Sequence, residues 1–441
     1  MAMKRMILWV GIFTLNVFTL LWGQEAKKEW TLQDCINYAV ENNIQIKQSK
    51  LTQLSGKEDL EQAKAQLFPI LSGQVNQDFV NYPSDRVLTN NQYSGSYKVS
   101  ANWVLYDGNK RVNAIKQEEL NDQANLLDVE TNVNDIRMAL VRAYMQVLYA
   151  TEGVTLSSQT MDVSKAQVDR ARELFDAGSI SRVDLSQLES EYASDQYNLV
   201  KAQNNLASYK IQLKQLLEMD LSETIEVKWP EITDTDVRYP LPEKQMIYNT
   251  ALEVMPEIER ASLEIDMADL DIKKAKAGYL PSISLSAGVG TGNVSGMDYS
   301  FGQQAWDKMN ESISLNVSVP IYSQRKNKTA VNKAKFNSYS SSLDLLNKQK
   351  GLLKEVETVY LDASSSQNQY SAAKENLSFA EESYQLTEEQ FNLGMKNTVE
   401  LLTQKNNKFA AQQQMLQAKY MAVMSIELLN IYQGKEVNTN Y

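Results

Sequence analysis

The clearest pattern along the chain is a strict alternation of apolar and polar residues in four short stretches. In 93–105 the odd positions are Tyr93, Gly95, Tyr97, Val99, Ala101, Trp103 and Leu105, and all the even ones before Val104 are Ser, Lys or Asn. Ile283, Leu285, Ala287 and Val289 alternate with Ser284, Ser286 and Gly288. Ile313, Leu315, Val317, Val319 and Ile321 alternate with Ser312, Ser314, Asn316 and Ser318. The stretch 70–82 is weaker, with Leu71, Val75 and Phe79 on one face. A period of two predicts strands with one face in apolar surroundings and the other in water. The polar face is almost entirely Ser and Asn, where the outside of a soluble sandwich would carry charges. That composition fits the wall of a wet lumen, and hence a membrane β-barrel.

Between the strands the pattern is helical and very long. After Tyr106-Asp107-Gly108 no proline and no alternation intervene before Gly178, and Gly153 only weakens a helix. About 68 residues of helix would reach roughly 100 Å. Arg325 to Leu393 repeats the pattern. The return helix carries a seam of Leu185, Leu188, Tyr192, Leu199, Ala202, Leu206, Tyr209, Leu213 and Leu216, interrupted by Asp195. Its period of about 3.5 residues is that of a coiled coil. The second seam is poorer, with Leu401, Met415, Ala418, Ala422, Leu429 and Tyr432, and with Lys408 as its expected polar position.

The two sets are copies of one unit. Ala63-Lys64-Ala65-Gln66-Leu67-Phe68-Pro69 matches Ala275-Lys276-Ala277-Gly278-Tyr279-Leu280-Pro281 at an offset of 212, and Phe175-Asp176-Ala177-Gly178 matches Phe391-Asn392-Leu393-Gly394 at 216. Val183-Asp184-Leu185 matches Val399-Glu400-Leu401 at the same offset of 216. Each half therefore reads helix, two strands, very long helix, helix. The leading helices are expected over about Leu32–Leu67 and Glu243–Tyr279, with Pro69 and Pro281 marking the passage from helix to strand. The expected organisation is an export signal at 1–23, a first repeat at 24–217, a linker at 218–242, a second repeat at 243–434 and a tail at 435–441. The signal is read from Lys4 and Arg5, the apolar run Met6–Trp22 and the small Gly23, the alternative being an N-terminal anchor. No later stretch is long and apolar enough to span a bilayer as a helix.

Composition removes several chemistries. The chain of 441 residues has no histidine and a single cysteine, Cys35, read as a small buried hydrophobe. A His-based triad, a His or Cys zinc site and an intrachain disulfide are thereby excluded. A formal net charge of −11 opposes nucleic-acid binding. Gly288-Val289-Gly290-Thr291-Gly292 resembles a phosphate loop only in its glycines and reads as strand end and loop. No cofactor and no enzyme activity are expected. Tyr93, Tyr97 and Trp103 are candidates for an interfacial girdle.

Four strands cannot close by themselves, and unpaired strand edges are not tolerated in hydrocarbon. Two chains would give eight strands with a filled interior; three give twelve, the smallest closed option with an aqueous bore. A homotrimer follows. The rival from another class is a soluble periplasmic coiled-coil scaffold with a small β domain.

Together the duplicated order, the strand-to-helix corners Leu105-Tyr106-Asp107-Gly108 and Pro320-Ile321-Tyr322, and the helix-tip turns around Gly178 and Gly394 resemble the TolC-like outer membrane factor family over nearly the whole mature chain. The second corner departs from the family pattern, with Ser323-Gln324 where glycines are common. The resemblance implies a mainly α fold: a trimeric, 12-stranded barrel in the outer membrane, continued by an α-helical tunnel into the periplasm. It implies a passive conduit for tripartite efflux or type I secretion. The implied partners are outer membrane lipid, a periplasmic adaptor and an inner-membrane pump of RND, ABC or MFS type. Matching the tips implies adaptor contact by Gly178, Ser179, Ile180, Gly394 and Met395, within the turns Gly178-Ser179-Ile180-Ser181 and Gly394-Met395-Lys396-Asn397. It implies a gate lock between Lys396 and Asp184, and a constriction at Glu400, where threefold symmetry would make a cation-selective ring. A second acid of the best-known relative is Thr403 here, so the gate would carry less charge.

Overall fold

The computed structural model describes residues 29–83, 91–220, 222–229 and 232–437. The expected export signal lies outside these residues, as does the end of the expected tail. The first half begins with a two-residue strand, β1 (Glu29–Trp30). Thr31 then caps α1 (Leu32–Asn42) in a reciprocal box with Asp34. There follow α2 (Ile44–Ala65), the antiparallel strands β2 (Ile70–Asn81) and β3 (Asn91–Tyr106), the long α3 (Lys110–Asp176) and its return partner α4 (Arg182–Leu216). The linker holds β4 (Glu226–Val227) and the single turn α5 (Asp234–Val237). The second half repeats the order: α6 (Lys244–Val254), α7 (Pro256–Ala277), β5 (Ser282–Val294), a short helix α8 (Phe301–Asp307), β6 (Asn310–Ser318), α9 (Lys326–Asn392) and α10 (Thr398–Tyr432).

The long helices meet the expectation closely: α3 and α9 are 67 residues each, and α4 and α10 are 35 each. At 1.5 Å per residue the longer pair reaches roughly 100 Å. Among the described residues no helix is long and apolar enough to cross a membrane.

The leading helices differ from expectation, because each is broken in two. In the second half the cause is Pro256, which forces Met255 to an extended ψ of 119° and starts α7 afresh at its first position. In the first half Asn43 breaks the helix at ψ 132°. Its buried side chain accepts from the backbone N–H of Gln45 and donates to the Leu216 carbonyl at 3.2 Å, so the break also docks the end of α4. The linker is ordered too: β4 pairs in parallel with β1, and the Tyr144 hydroxyl donates to the Lys228 carbonyl at 3.1 Å.

The four long strands form one antiparallel sheet in the order β2-β3-β5-β6. The register brings like faces together: Val75 opposes Tyr97, Val99 opposes Val289, and Leu285 opposes both Trp103 and Leu315. The other face gathers Ser72, Ser100, Ser286 and Ser314, with the Ser72 and Ser100 hydroxyls 3.1 Å apart. The expected last strand is shorter than its alternation suggests. It ends at Ser318, leaving Val319 and Ile321 outside, because Pro320 supplies no N–H to the ladder. The glycine run at 288–292 lies wholly within β5.

In each half the second strand, β3 or β6, returns to the long helix through a left-handed corner. Gly108 and Asn109 have φ of 71° and 65°; the equivalents Gln324 and Arg325 have 47° and 66°. The departure at Gln324 therefore keeps the turn and accepts strain of roughly 1–2 kcal/mol. Arg111 braces the first corner, pairing with Asp107 at 3.0 Å and donating to the Gln66 carbonyl at 2.8 Å. Trp103 also donates to this corner, at the Leu67 carbonyl, 2.7 Å away.

The main core lies where α1, α3, α6, α9 and α10 converge, around Leu32, Leu140, Tyr144, Ile247, Val356 and Leu429. Cys35 is fully buried there. A second, small cluster of Val168, Ala171, Leu185 and Leu188 sits far along the α3/α4 pair, toward the helix tips.

Candidate functional site at the helix tips

Both long hairpins end in the same device. The Gly178 N–H donates to the Phe175 carbonyl at 2.8 Å and the Ser179 N–H to the Leu174 carbonyl at 2.8 Å, with Gly178 at φ 73°. Gly394 and Met395 repeat this toward Phe391 and Gln390, with Gly394 at φ 74°. These are left-handed glycine caps, where a Cβ would be strained. The next helices open with capping boxes, Ser181 with Asp184 and Asn397 with Glu400. Gly178, Ser179, Gly394 and Met395 are exposed and Ile180 is half-buried, so the turns present an apolar rim completed by Val183, Leu393 and Val399.

The candidate gate residues are all found here, with different partners. Within one chain Lys396 does not meet Asp184. Its ammonium lies 2.5 Å from Glu400, in the first turn of α10. Asp184 is held instead by the Ser181 hydroxyl at 2.6 Å and the Thr398 hydroxyl at 3.0 Å. The reason is local: a carboxylate three residues after an N-cap is drawn into its capping box. The Ser181 and then the Thr398 hydrogen bond keep the Asp184 carboxyl below the usual carboxylate range. The Lys396 ammonium, followed by the Asn397 N–H, does the same for Glu400. Thr398 is buried, so its bond to Asp184 ties the second tip to the first. Thr403 donates to the Val399 carbonyl at 2.7 Å and is thus committed to its own helix.

Three residues absent from the sequence expectation, Lys405, Glu191 and Ser164, complete the site. Lys405, not Lys408, is the buried charge of the second seam. Its ammonium meets Asp195 at 2.5 Å, Glu191 at 2.8 Å and the Ser164 hydroxyl at 2.8 Å. Ser164 also donates to Asp195. This one cation therefore joins α10 to α4 and α3. Lys408 is half-buried, its ammonium 5.1 Å from the centre of the Tyr384 ring.

The outer membrane efflux protein family model matches residues 35–218 and 247–430, most of both halves. The chain belongs to the outer membrane efflux protein family. This efflux protein is 23% identical to the outer membrane protein TolC of Salmonella enteritidis, over 98% of the chain and 86% of that protein. It is 22% identical to the outer membrane efflux protein BepC of Brucella suis, over 93% of the chain and 87% of its relative. Its fold matches that of CusC with a TM-score of 0.80 at 19% identity, covering 92% of this chain and 93% of that one. The efflux protein is thus an outer membrane channel component serving export rather than an enzyme, and it acts within a system of partner proteins. Nothing in its fold or its relatives favours a soluble scaffold.

Proposed function

We propose that three copies of this chain form one export conduit, with a 12-stranded barrel in the outer membrane and a periplasmic tunnel of long helices. The observation that carries this reading is the four-stranded sheet with an aliphatic face, a serine face and two unpaired edges, β2 and β6. Because the strands alternate in direction, β6 of one chain runs antiparallel to β2 of the next, and closure needs no further element. The aliphatic face meets lipid and the serine face lines the bore. The tips, Gly178 to Ile180 with Gly394 and Met395, dock a periplasmic adaptor that links the conduit to an inner-membrane pump of RND, ABC or MFS type. Efflux and type I secretion both fit such a conduit.

In the closed tunnel, Lys396 of one chain reaches Asp184 of its neighbour, exchanging its own Glu400 for an intermolecular partner. Single-channel recording in planar bilayers tests the conduit and the lock together. Lys396→Ala or Asp184→Ala is expected to raise the conductance of an otherwise narrow channel. Unchanged conductance in both variants rejects the lock, and no conductance from the unaltered protein rejects the conduit.

The Glu400 carboxylates form a ring of three at the constriction. Glu400→Gln preserves the capping box, since glutamine serves at that position. Cation preference is expected to fall, moving the reversal potential in a salt gradient toward zero. Identical reversal potentials for the two proteins would remove Glu400 from the constriction.

A further inference from the structure

The short helix α8 has no counterpart in the first half's described residues, and it is seated on the apolar side of the sheet. The Thr291 hydroxyl donates to the Ala305 carbonyl, and the Phe301 ring stands edge-on to Tyr97 with centroids 6.0 Å apart. Tyr97 and Thr291 oppose each other on the face that also carries Val99 and Val289. Gln304 is buried beneath the helix: its oxygen accepts from the Val294 N–H at 2.9 Å and its amide donates to the Tyr299 carbonyl at 3.0 Å. At this level the strand face turns from aliphatic to polar, through Thr291 and Asn293, and α8 covers the change.

The opposite side of α8 is apolar, and nothing among the described residues covers it. Trp306 is 73% exposed, and Tyr299, Met297 and Met309 are exposed beside it. A helical rotation of 100° per residue places Trp306 away from Gln304 and the sheet. We infer that α8 is an interfacial helix lying on the outside of the barrel at its extracellular rim, with Trp306 and Met309 inserted at the boundary between lipid hydrocarbon and headgroups. The inference rests on the barrel reading above. Three arguments select lipid as the occupant. The patch lies on the same side of the sheet as the aliphatic band of Val99, Val289 and Ile313, beyond the level where Glu311 opposes Val289 and the face turns polar. The neighbouring chain joins at the edge strands β2 and β6, whereas α8 packs on the inner strand β5 and meets the other inner strand, β3, through Phe301 and Tyr97. Finally, the height is right: from Ile283 to Thr291 a tilted strand climbs ~21 Å, close to the ~25 Å of a barrel's apolar band. Indole rings concentrate at that level.

Spin labels test this on the full chain reconstituted in phosphatidylethanolamine/phosphatidylglycerol vesicles. Single cysteines replace Trp306, Met309, Leu315 or Ser314, while the native Cys35 is buried and escapes labelling. Collisions with oxygen and with a nickel chelate are compared at each site. The expected result is that labels at 306 and 309 resemble the one at 315, with an oxygen-to-nickel ratio several-fold above that at 314. If 315 is lipid-exposed but 306 and 309 match 314, α8 stands in water and the inference falls while the barrel stands. If 315 itself matches 314, the barrel reading falls and the inference with it.

Discussion

Replacing Val99 and Val317 together with aspartate is expected to abolish assembly in the outer membrane. Both side chains lie on the aliphatic face, opposite Val289 and Ile283, and both are more than half exposed in the single chain. Each introduced carboxylate would sit in hydrocarbon at a cost of order 1–2 kcal/mol, below the figure for a basic residue there. Closure by three chains repeats each change three times, so the combined penalty is comparable to the whole stability of a domain. Membrane fractionation is the measurement, with Ser100→Asp and Ser314→Asp on the bore side as controls expected to assemble. Normal targeting of the Val99/Val317 variant would mean that the aliphatic face does not meet lipid.

The second large effect is expected at Lys405. Lys405 is 4% exposed, and its ammonium compensates Asp195, itself 6% exposed. Lys405→Met leaves that carboxylate buried without its counter-ion, which typically costs about 3–5 kcal/mol. Thermal unfolding of the purified protein should show a marked drop in melting temperature. The double change Lys405→Met, Asp195→Leu removes both charges and should recover most of the loss, because a buried pair contributes little over well-packed apolar groups. A single variant that melts like the unaltered protein would show that water reaches the cluster and that it does not pin α10 to α4 and α3.

The sequence discloses what depends on periodicity. The alternation through Tyr97, Val99 and Ala101 is unbroken, so strand faces and their pairing could be anticipated; so could two helices of 67 residues, since nothing in them breaks a helix. What depends on distant pairing is not legible. Asp195 stands out in its own seam, but its partner is 210 positions away on a seam too irregular to fix its phase. That is why Lys408 was the expected polar position and Lys405 the real one. The lock pair shows a related limit. Spacing from the tip glycines identifies Lys396 and Asp184, yet short-range capping bonds claim Asp184, and Glu400 claims Lys396, within the single chain. The breaks at Asn43 and Met255 were hidden because apolar residues continue on both sides, although Pro256 was a sufficient signal for the second. Helix α8 spans seven residues, too few for a period to emerge.

The two halves also differ in length at one place alone. Leading helices correspond at an offset of 212 and the long helices at 216, while Leu71–Ala101 and Ile283–Val317 are equivalent ladder pairs. All four surplus residues therefore fall in the turn between β5 and β6, the segment that carries α8. A ring in which unlike halves alternate demands equal spans on every stave, since lengthening one would shear its seams against those on either side. Only the outward turns escape this constraint. Side chains have diverged freely over the common frame, and novelty in size has been admitted where the molecule faces the world beyond the cell.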